Sequence, residues 1–497
     1  MGSPTPPIAF ATAPTETRDH VHAARVELTA DDLAAVAATG VVVHTDATTL
    51  MEASRDWWPL AMQWAADGEV VTCASAVVRP TSTEQVRDLL RVADARGLPV
   101  TAAGGRSGVC GASVPAHGGI VLDTTAMAGI VDIEDASLTL EVLPGTFGDE
   151  LEAELATCGY TLGHWPQSIS LSTVGGWLAC RSAGQYSTRY GKIEDMVVGL
   201  EVVLADGSVI RTGRAPAAAT GPDLTQVFVG SEGTLGLITR AWLRLHPAPP
   251  DERRAAYAFT TFEAGVEVCR RILRRGATPA VLRLYDEPES KRSHGTDGTA
   301  NLLVLDEGEP VLVDAVMTIV REECDRAGAA ALDVELVERW MHHRNDVSGL
   351  EALTRKGFVV DTMEVSVPWS SVGGVFDAAR GALLAVPHAR AATCHLSHSY
   401  GDGACLYFTF AATPPADQRE ATYVAMWDAG SRAVLAAGGN LSHHHGVGMN
   451  RSRFMAEALG PALDVLATIK HALDPNGILN PGKLGLASRF AEAPAWP

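Results

Sequence analysis

Apolar and polar positions change period several times along the chain. From Leu28 to about Gly68 the apolar spacing is helical, with Asp31 and Asp32 placed to cap a helix start. At Val70 the pattern becomes strand-like over 70–72 and 76–80. A helix then opens at 81–85, with Ser82 and Gln85 at capping-box spacing, and stops at Gly97-Leu98-Pro99. Residues 100–103 read as a buried strand that feeds straight into Gly104-Gly105-Arg106-Ser107-Gly108, so an α/β unit presents a glycine turn. Further strands are expected at 119–123, 138–142 and 199–204, the last returning through the hairpin signal Asp206-Gly207 into 209–211. The break His246-Pro247-Ala248-Pro249-Pro250 marks a domain boundary, after which helices mix with strands such as 406–410. Trp57 and Trp58 are expected to pack the first segment onto the rest, without a chemical role.

The pattern predicts four parts. These are a leader and helical extension (1–68), an α/β domain (69–247), an α+β domain (248–435) and a C-terminal segment (436–497) that returns to the α/β domain. A length of 497 residues suits several domains. The net charge of −20 argues against nucleic acid as a partner, since that needs a basic footprint. Five lysines stand against thirty-four arginines, a bias of composition rather than of function. Eight scattered cysteines with no Cys-x-x-Cys pair suggest a reduced, cytoplasmic protein. No stretch offers about 18 uninterrupted apolar residues, so neither a signal peptide nor a membrane span is expected. Peripheral membrane contact and a homodimer are left open.

Two dense motifs carry chemistry. His443-His444-His445-Gly446-Val447-Gly448 supplies proton carriers near neutral pH and donors for an electron-rich ring or oxyanion. Upstream lie Gly163-His164-Trp165-Pro166-Gln167-Ser168, Ser172-Thr173-Val174-Gly175-Gly176-Trp177, Arg181-Ser182-Ala183-Gly184, Tyr190-Gly191-Lys192-Ile193-Glu194-Asp195 and Gly230-Ser231-Glu232-Gly233-Thr234-Leu235-Gly236. These concentrate glycine and hydroxyl groups at strand ends, where backbone and side-chain donors line an extended ligand. The glycine turn at 104–108 fits neither the Walker nor the Rossmann pattern.

Over about 70–245 and 435–485 the chain resembles the FAD-binding domain of the vanillyl-alcohol oxidase/p-cresol methylhydroxylase superfamily. That resemblance implies an α+β fold: a two-subdomain FAD-binding domain of the p-cresol methylhydroxylase type, an α+β cap and the helical N-terminal extension. It makes Ala102, Ala103, Gly104, Gly105, Arg106, Ser107 and Gly108 the diphosphate loop. It runs Pro166, Gln167, Ser168, Ser172, Thr173 and Gly175, with Cys180, Arg181, Ser182 and Ala183, along the flavin and its ribityl chain. It places Glu232, Gly233, Thr234 and Ile238 at the adenosine end. Relatives with a covalent flavin carry a histidine in a Gly-Gly-His-Ser turn; Arg106 stands there, which implies non-covalent FAD.

The His triplet, the Ser-Thr-Val-Gly-Gly-Trp run and Tyr190-Gly-x-Ile-Glu-Asp further resemble the alkylglycerone-phosphate synthase family. Arg283-Leu284 is similar to that family's active-site Arg-Leu segment, and Gly403 to Phe408 to the segment carrying its catalytic tyrosine, here Tyr407. The resemblance implies exchange of an acyl group for a fatty alcohol on dihydroxyacetone phosphate through a flavin N5 adduct, an ether-lipid synthesis without net redox change. Tyr407 would handle the substrate proton, provided the flavin and the triplet lower its pKa. His443, His444 and His445 would orient and polarise, and Arg283 would bind a departing carboxylate. The partner is then a small-molecule or lipid-like substrate.

A competing resemblance is to the D-lactate and D-2-hydroxyglutarate dehydrogenases, which implies an oxidoreductase acting on the CH–OH group of a 2-hydroxy acid or secondary alcohol. Those relatives hold a metal, but Tyr407 follows Gly401-Asp402-Gly403 where a ligand histidine is expected, and His444 replaces a ligand glutamate. Consecutive histidines on an extended segment also alternate faces. No metal is expected, and His395 and His398 read as structural or solvated. A catalytically idle flavin-binding protein is the reading from outside enzymology. Two positions depart from the synthase pattern: Leu350, flanked by Arg344 and Arg355, stands where a substrate-contacting arginine is expected, and Met449, near Arg451, where a lysine is. A substrate without phosphate therefore stays open.

Overall fold

The computed structural model describes residues 15–20, 24–346 and 353–490. Leu350 and most of the expected leader lie outside the described residues. The predicted α/β unit forms with its expected bounds. The strands Ala76–Arg79, Ile120–Asp123 and Val100–Ala103 run parallel in a four-stranded sheet. The helix Thr83–Arg96 crosses over between the first and third of these, burying Val86, Leu89, Leu90 and Ala93. Ser82 caps it by accepting from Gln85 N; the Gln85 side chain answers Thr81 N instead of closing the box on Ser82. The next sheet along the chain is five-stranded and antiparallel, and its hairpin turns at Gly207, where φ is 80°.

The N-terminal extension holds the helices Ala30–Ala37, Ala47–Ala53 and Pro59–Ala66. It also gives the strand Val42–His44, which adds antiparallel to the edge of the four-stranded sheet. The first helix is capped by Thr29 rather than by Asp31 or Asp32, and Asp32 closes a capping box with it. Trp58 is fully buried, and its indole N–H donates to Tyr423 Oη at 2.9 Å. Tyr423 donates in turn to Asp361 at 2.6 Å, which ties the extension to the second domain.

That second domain is a seven-stranded, wholly antiparallel sheet in the order Ala330–Leu332, Asp251–Phe259, Ala300–Gly308, Val281–Tyr285, Ala389–Ser399, Gly403–Ala412, Val359–Pro368. Helices Phe262–Arg274, Pro310–Arg326, Val372–Ala385 and Arg419–Ala436 flank it. It begins just past the Pro-rich break. Among the described residues all eight cysteines are free thiols, and no helix is long and apolar enough to cross a membrane.

The C-terminal segment is bound to the second domain by one carboxylate. Glu364, on the edge strand of the seven-stranded sheet, has no exposed surface. It accepts from Arg451 Nη1 at 3.1 Å and from Nη2, and Arg451 is itself fully buried with its guanidinium 4.9 Å from the Trp427 ring centre. Burial alone would raise the Glu364 pKa, but Arg451 and His445 hold it well below the ordinary range. The ion pair's stabilisation is therefore complete above the range where an unfolded glutamate titrates and is lost as pH falls through the lower folded value. Arg451→Met strands a buried charge, and urea unfolding at pH 7 should show a loss of about 3–5 kcal/mol. The deficit should shrink towards pH 4, where protonation relieves the stranded carboxylate in the variant.

Candidate active site

Antiparallel register places four chemical side chains on one rung of the seven-stranded sheet. Glu364 pairs with Tyr407, Tyr407 with His395, and His395 with Tyr285. Arg283, two residues before Tyr285, shares that face. In a regular strand His395 and His398 would face opposite ways. A register shift between Leu396 and His398 sets His398 opposite Cys405, two residues from Tyr407, and so turns it onto the same face.

The His triplet sits over this rung because its backbone wraps Glu364. The Oε1 atom accepts from Ser442 Oγ (2.6 Å) and from the backbone N–H groups of His443 (3.2 Å), His444 (3.1 Å) and His445 (2.8 Å). His445 Nδ1 lies 3.0 Å from Oε2. Gly446 (φ 80°) lets the loop turn: a Cβ there would meet the carboxylate of Glu232 at 2.4 Å. That carboxylate accepts from Val447 N and Gly448 N, so the loop is pinned by one acid from each domain.

Tyr407 is enclosed by imidazoles. His395 stacks on its ring at 4.7 Å and 14°, His444 stacks at 6.0 Å, and His445 meets it edge-on at 5.7 Å. Its hydroxyl donates to Thr362 Oγ1 at 3.1 Å. Burial pushes the phenol above its ordinary value, although the Thr362 bond pulls the other way. Among the protein groups alone desolvation outweighs the nearby Arg283, which leaves the phenol a neutral O–H donor.

His398, His443 and His444 form a second cluster. His398 stacks on His443 at 4.9 Å, and the Nδ1 atoms of His443 and His444 are 2.8 Å apart. Burial keeps all three imidazoles neutral, helped by Lys192 at His443 and by His445 at His444. His398 Nδ1 is hydrogen-bonded to Ser187 Oγ (2.7 Å) and His443 Nε2 to Tyr400 Oη (3.0 Å). Ring nitrogens of the three lie within 4.8 Å of one another, a donor set of the size that holds a divalent ion. The alternation expected of the triplet thus does not separate His443 from His444, and the His445 ring meets His444 edge-on at 4.6 Å without joining the group of three ring nitrogens.

The segments expected around the flavin converge beside this cluster. Residues 104–108 leave the strand Val100–Ala103 and pack directly on 171–173: a Cβ on Gly105 would lie 1.9 Å from Leu171 O. Ala102 touches Gly233, and Cys180 touches Gly446. Ser172 accepts from the Trp177 indole, Ser182 meets His164 at 3.3 Å, and Ala183 is buried; Pro166 and Ser168 lie in the 166–173 loop, Gly175 in the first turn of the helix Val174–Cys180, and Thr234 and Ile238 flank the start of Leu237–Arg244. Three side chains point elsewhere. Gln167 is exposed, Arg181 reaches Glu194 at the surface, and buried Arg106 donates to backbone oxygens of Glu52 and Arg55 in the extension, while its own backbone and Ser107 stay in the turn. Buried polar atoms lining the cradle have no hydrogen-bond partner among the described residues: Thr173 Oγ1, His164 Nδ1, Asn480 Oδ1 and both amide atoms of Asn450. Close-packed glycine turns with unsatisfied donors and acceptors fit a polyhydroxylated, diphosphate-bearing group such as FAD.

Glu364, Tyr400, Ser187 and Lys192, whose ammonium holds His443 O at 2.7 Å, were not anticipated as site residues. A lone glutamate amid the apolar alternation of 359–367 was the one signal available for Glu364.

Comparison with known proteins agrees with this geometry. Residues 74–213 match a family described as FAD binding domain, and residues 248–484 match FAD linked oxidases, C-terminal domain. An uncharacterised FAD-linked oxidoreductase of Escherichia coli K12, YgcU, is 33% identical over 435 residues, spanning 82% of this chain and 88% of the relative. Alkyldihydroxyacetonephosphate synthase of Dictyostelium discoideum is 29% identical over 84% of this chain and 74% of its own. A solved alkyldihydroxyacetonephosphate synthase superposes with a TM-score of 0.78 at 25% identity, covering 93% of this chain and 87% of that one. With both halves matched and a third of its residues shared with a relative over most of its length, the chain belongs to the FAD-linked oxidase family, and FAD is its cofactor.

Proposed function

We propose that the protein is a synthase-like flavoenzyme that exchanges the acyl group of an acyl-dihydroxyacetone phosphate for a fatty alcohol, with FAD held non-covalently. The observation that carries this reading is the enclosure of Tyr407 by His395 and by two imidazoles of a loop wrapped around Glu364, in a chain similar to alkyldihydroxyacetonephosphate synthases. When bound, FAD supplies an electron-poor ring that accepts an electron pair from a substrate carbon. Arg106 offers no nucleophile for a covalent link, and its guanidinium is engaged by the extension.

In this reading His444 accepts the substrate proton, because a neutral imidazole offers a free lone pair at pH 7 and the raised Tyr407 phenol does not act as a base. Tyr407 donates its O–H to a developing oxyanion or to the departing group. His443 is held by Tyr400 and Lys192 and fixes the loop. Arg283 binds the departing carboxylate.

A second reading, an oxidoreductase acting on the CH–OH group of a 2-hydroxy acid or secondary alcohol, is favoured by one observation: the convergence of His398, His443 and His444, which suits removal of a hydroxyl proton beside an electron-accepting ring.

Incubating the purified protein with palmitoyl-dihydroxyacetone phosphate and hexadecanol should release palmitate and form the alkyl ether. Absence of both products, with turnover of a 2-hydroxy acid by an artificial electron acceptor, would favour the second reading. Tyr407→Phe should lower kcat by about 100-fold or more while FAD content is retained. The buried imidazoles stay neutral below the ordinary value of 6.5, so unfolded His takes up protons that the folded site refuses. Thermal stability should therefore fall as pH drops through that range, and activity should be flat from about pH 7 to 8 and fall on the acid side.

A further inference from the structure

Beneath Tyr407 a chain of three polar side chains runs away from the proposed proton acceptors. Glu289, on the helix Glu287–His294 that follows the Arg283 strand, is almost wholly buried. Its Oε1 lies 3.1 Å from His395 Nδ1 and 3.3 Å from Arg292 Nη2, and Oε2 accepts from Thr393 Oγ1 at 3.3 Å. The other nitrogen of the ring, Nε2, is 2.6 Å from Arg283 Nη2. A guanidinium has no acceptor, so Nε2 must carry the lone pair and Nδ1 the proton, donated to Glu289. Both ring nitrogens are thereby assigned, and His395 is neutral: burial and Arg283 lower its pKa to about 4, outweighing the pull of Glu289.

Arg283 is fixed from two sides. Nη2 donates to His395, Nε donates to Tyr285 Oη at 2.7 Å, and the guanidinium lies over the Tyr285 and Trp340 rings. Nη1 has no hydrogen-bond partner among the described residues. The side chain is only partly buried, on the same sheet face as Tyr407. This is the arrangement expected of a guanidinium oriented by its surroundings to offer one edge to an anion.

We propose that Glu289 and His395 are positioning residues: the carboxylate fixes the imidazole tautomer, and the imidazole lone pair aims Arg283 Nη1 at the carboxylate of the long-chain acid leaving the substrate. The inference rests on the proposed function for the identity of that anion, but the aiming itself does not. His395 also backs the Tyr407 ring, so the same imidazole holds the anion-binding and proton-donating groups at a fixed separation.

The test separates the two things His395 does. His395→Phe keeps a ring against Tyr407 and removes the acceptor; His395→Gln loses the ring and restores an acceptor at the place of Nε2. Palmitate binding to the FAD-loaded protein is read from the change in flavin absorbance, and KM and kcat are measured with palmitoyl-dihydroxyacetone phosphate. His395→Phe should raise the palmitate Kd and the KM about tenfold or more, and His395→Gln should keep both within about threefold of the wild type while its kcat falls with the loss of the ring behind Tyr407. Glu289→Gln, which allows the imidazole to move its proton to Nε2 and so repel Arg283, should follow His395→Phe. Crystal structures of the two His395 variants should show Arg283 displaced in the first and retained in the second. An Arg283 unmoved in His395→Phe, or equal weakening in both His395 variants, would overturn the proposal. Wild-type protein that neither binds palmitate nor releases it would remove the proposed function, while the crystal comparison would still decide whether Glu289 and His395 aim the arginine.

Discussion

The buried carboxylate of Glu364 is the constraint on which the rest of the site depends. It stands on an edge strand of the cap sheet, yet its ligands come from the C-terminal segment: a guanidinium, a serine hydroxyl and three successive backbone amides. A carboxylate taken fully out of water is costly unless its charge is matched and its lone pairs are filled. Glu364 meets both conditions only when the chain returns and folds its His triplet across the sheet. Glu232 repeats the device from the flavin domain, capturing Val447 N and Gly448 N. The loop thus bridges two domains through two buried acids that its backbone N–H groups help to satisfy.

Burial then sets the protonation states. The same desolvation that raises the Tyr407 phenol lowers the imidazoles of His398, His443 and His444, so donor and acceptor roles separate chiefly by burial, with nearby positive groups assisting. Tyr407 keeps its proton and the imidazoles keep their lone pairs. A site built this way does acid–base work at neutral pH, and its proton carriers are set by packing more than by ion pairs. Such an arrangement suits proton removal from a carbon acid beside a flavin and from an alcohol alike.

Local signals made much of this legible. The 100–103 strand with its glycine turn, the 83–96 helix and the 206–207 hairpin follow from period, capping and turn chemistry within a dozen residues, and the structure places them as expected. The flavin segments were legible as motifs, because close backbone packing demands glycine wherever it occurs in the chain. Long-range facts were not. The edge strand Val42–His44 is held by a partner 35 residues away and looks helical by spacing alone. The shift between Leu396 and His398 that turns His398 toward His443 leaves no trace in residue type, so a histidine read as structural joins the site. Arg106 was legible as a departure from the covalent-flavin pattern, but its engagement by the extension depends on tertiary contacts. The charged neighbours of Tyr407 could be guessed from sequence, but the depth of burial that raises its phenol could not.

The central claim is that this site handles a substrate proton beside the flavin without net redox change. The most direct test is the visible spectrum of the FAD-loaded protein under anaerobic conditions, recorded with palmitoyl-dihydroxyacetone phosphate and hexadecanol and then with 2-hydroxy acids. The account predicts palmitate release with the oxidised flavin band restored at the end of turnover, and no lasting bleaching by any hydroxy acid. Persistent loss of that band on adding a 2-hydroxy acid, without palmitate release from the acyl substrate, would contradict it.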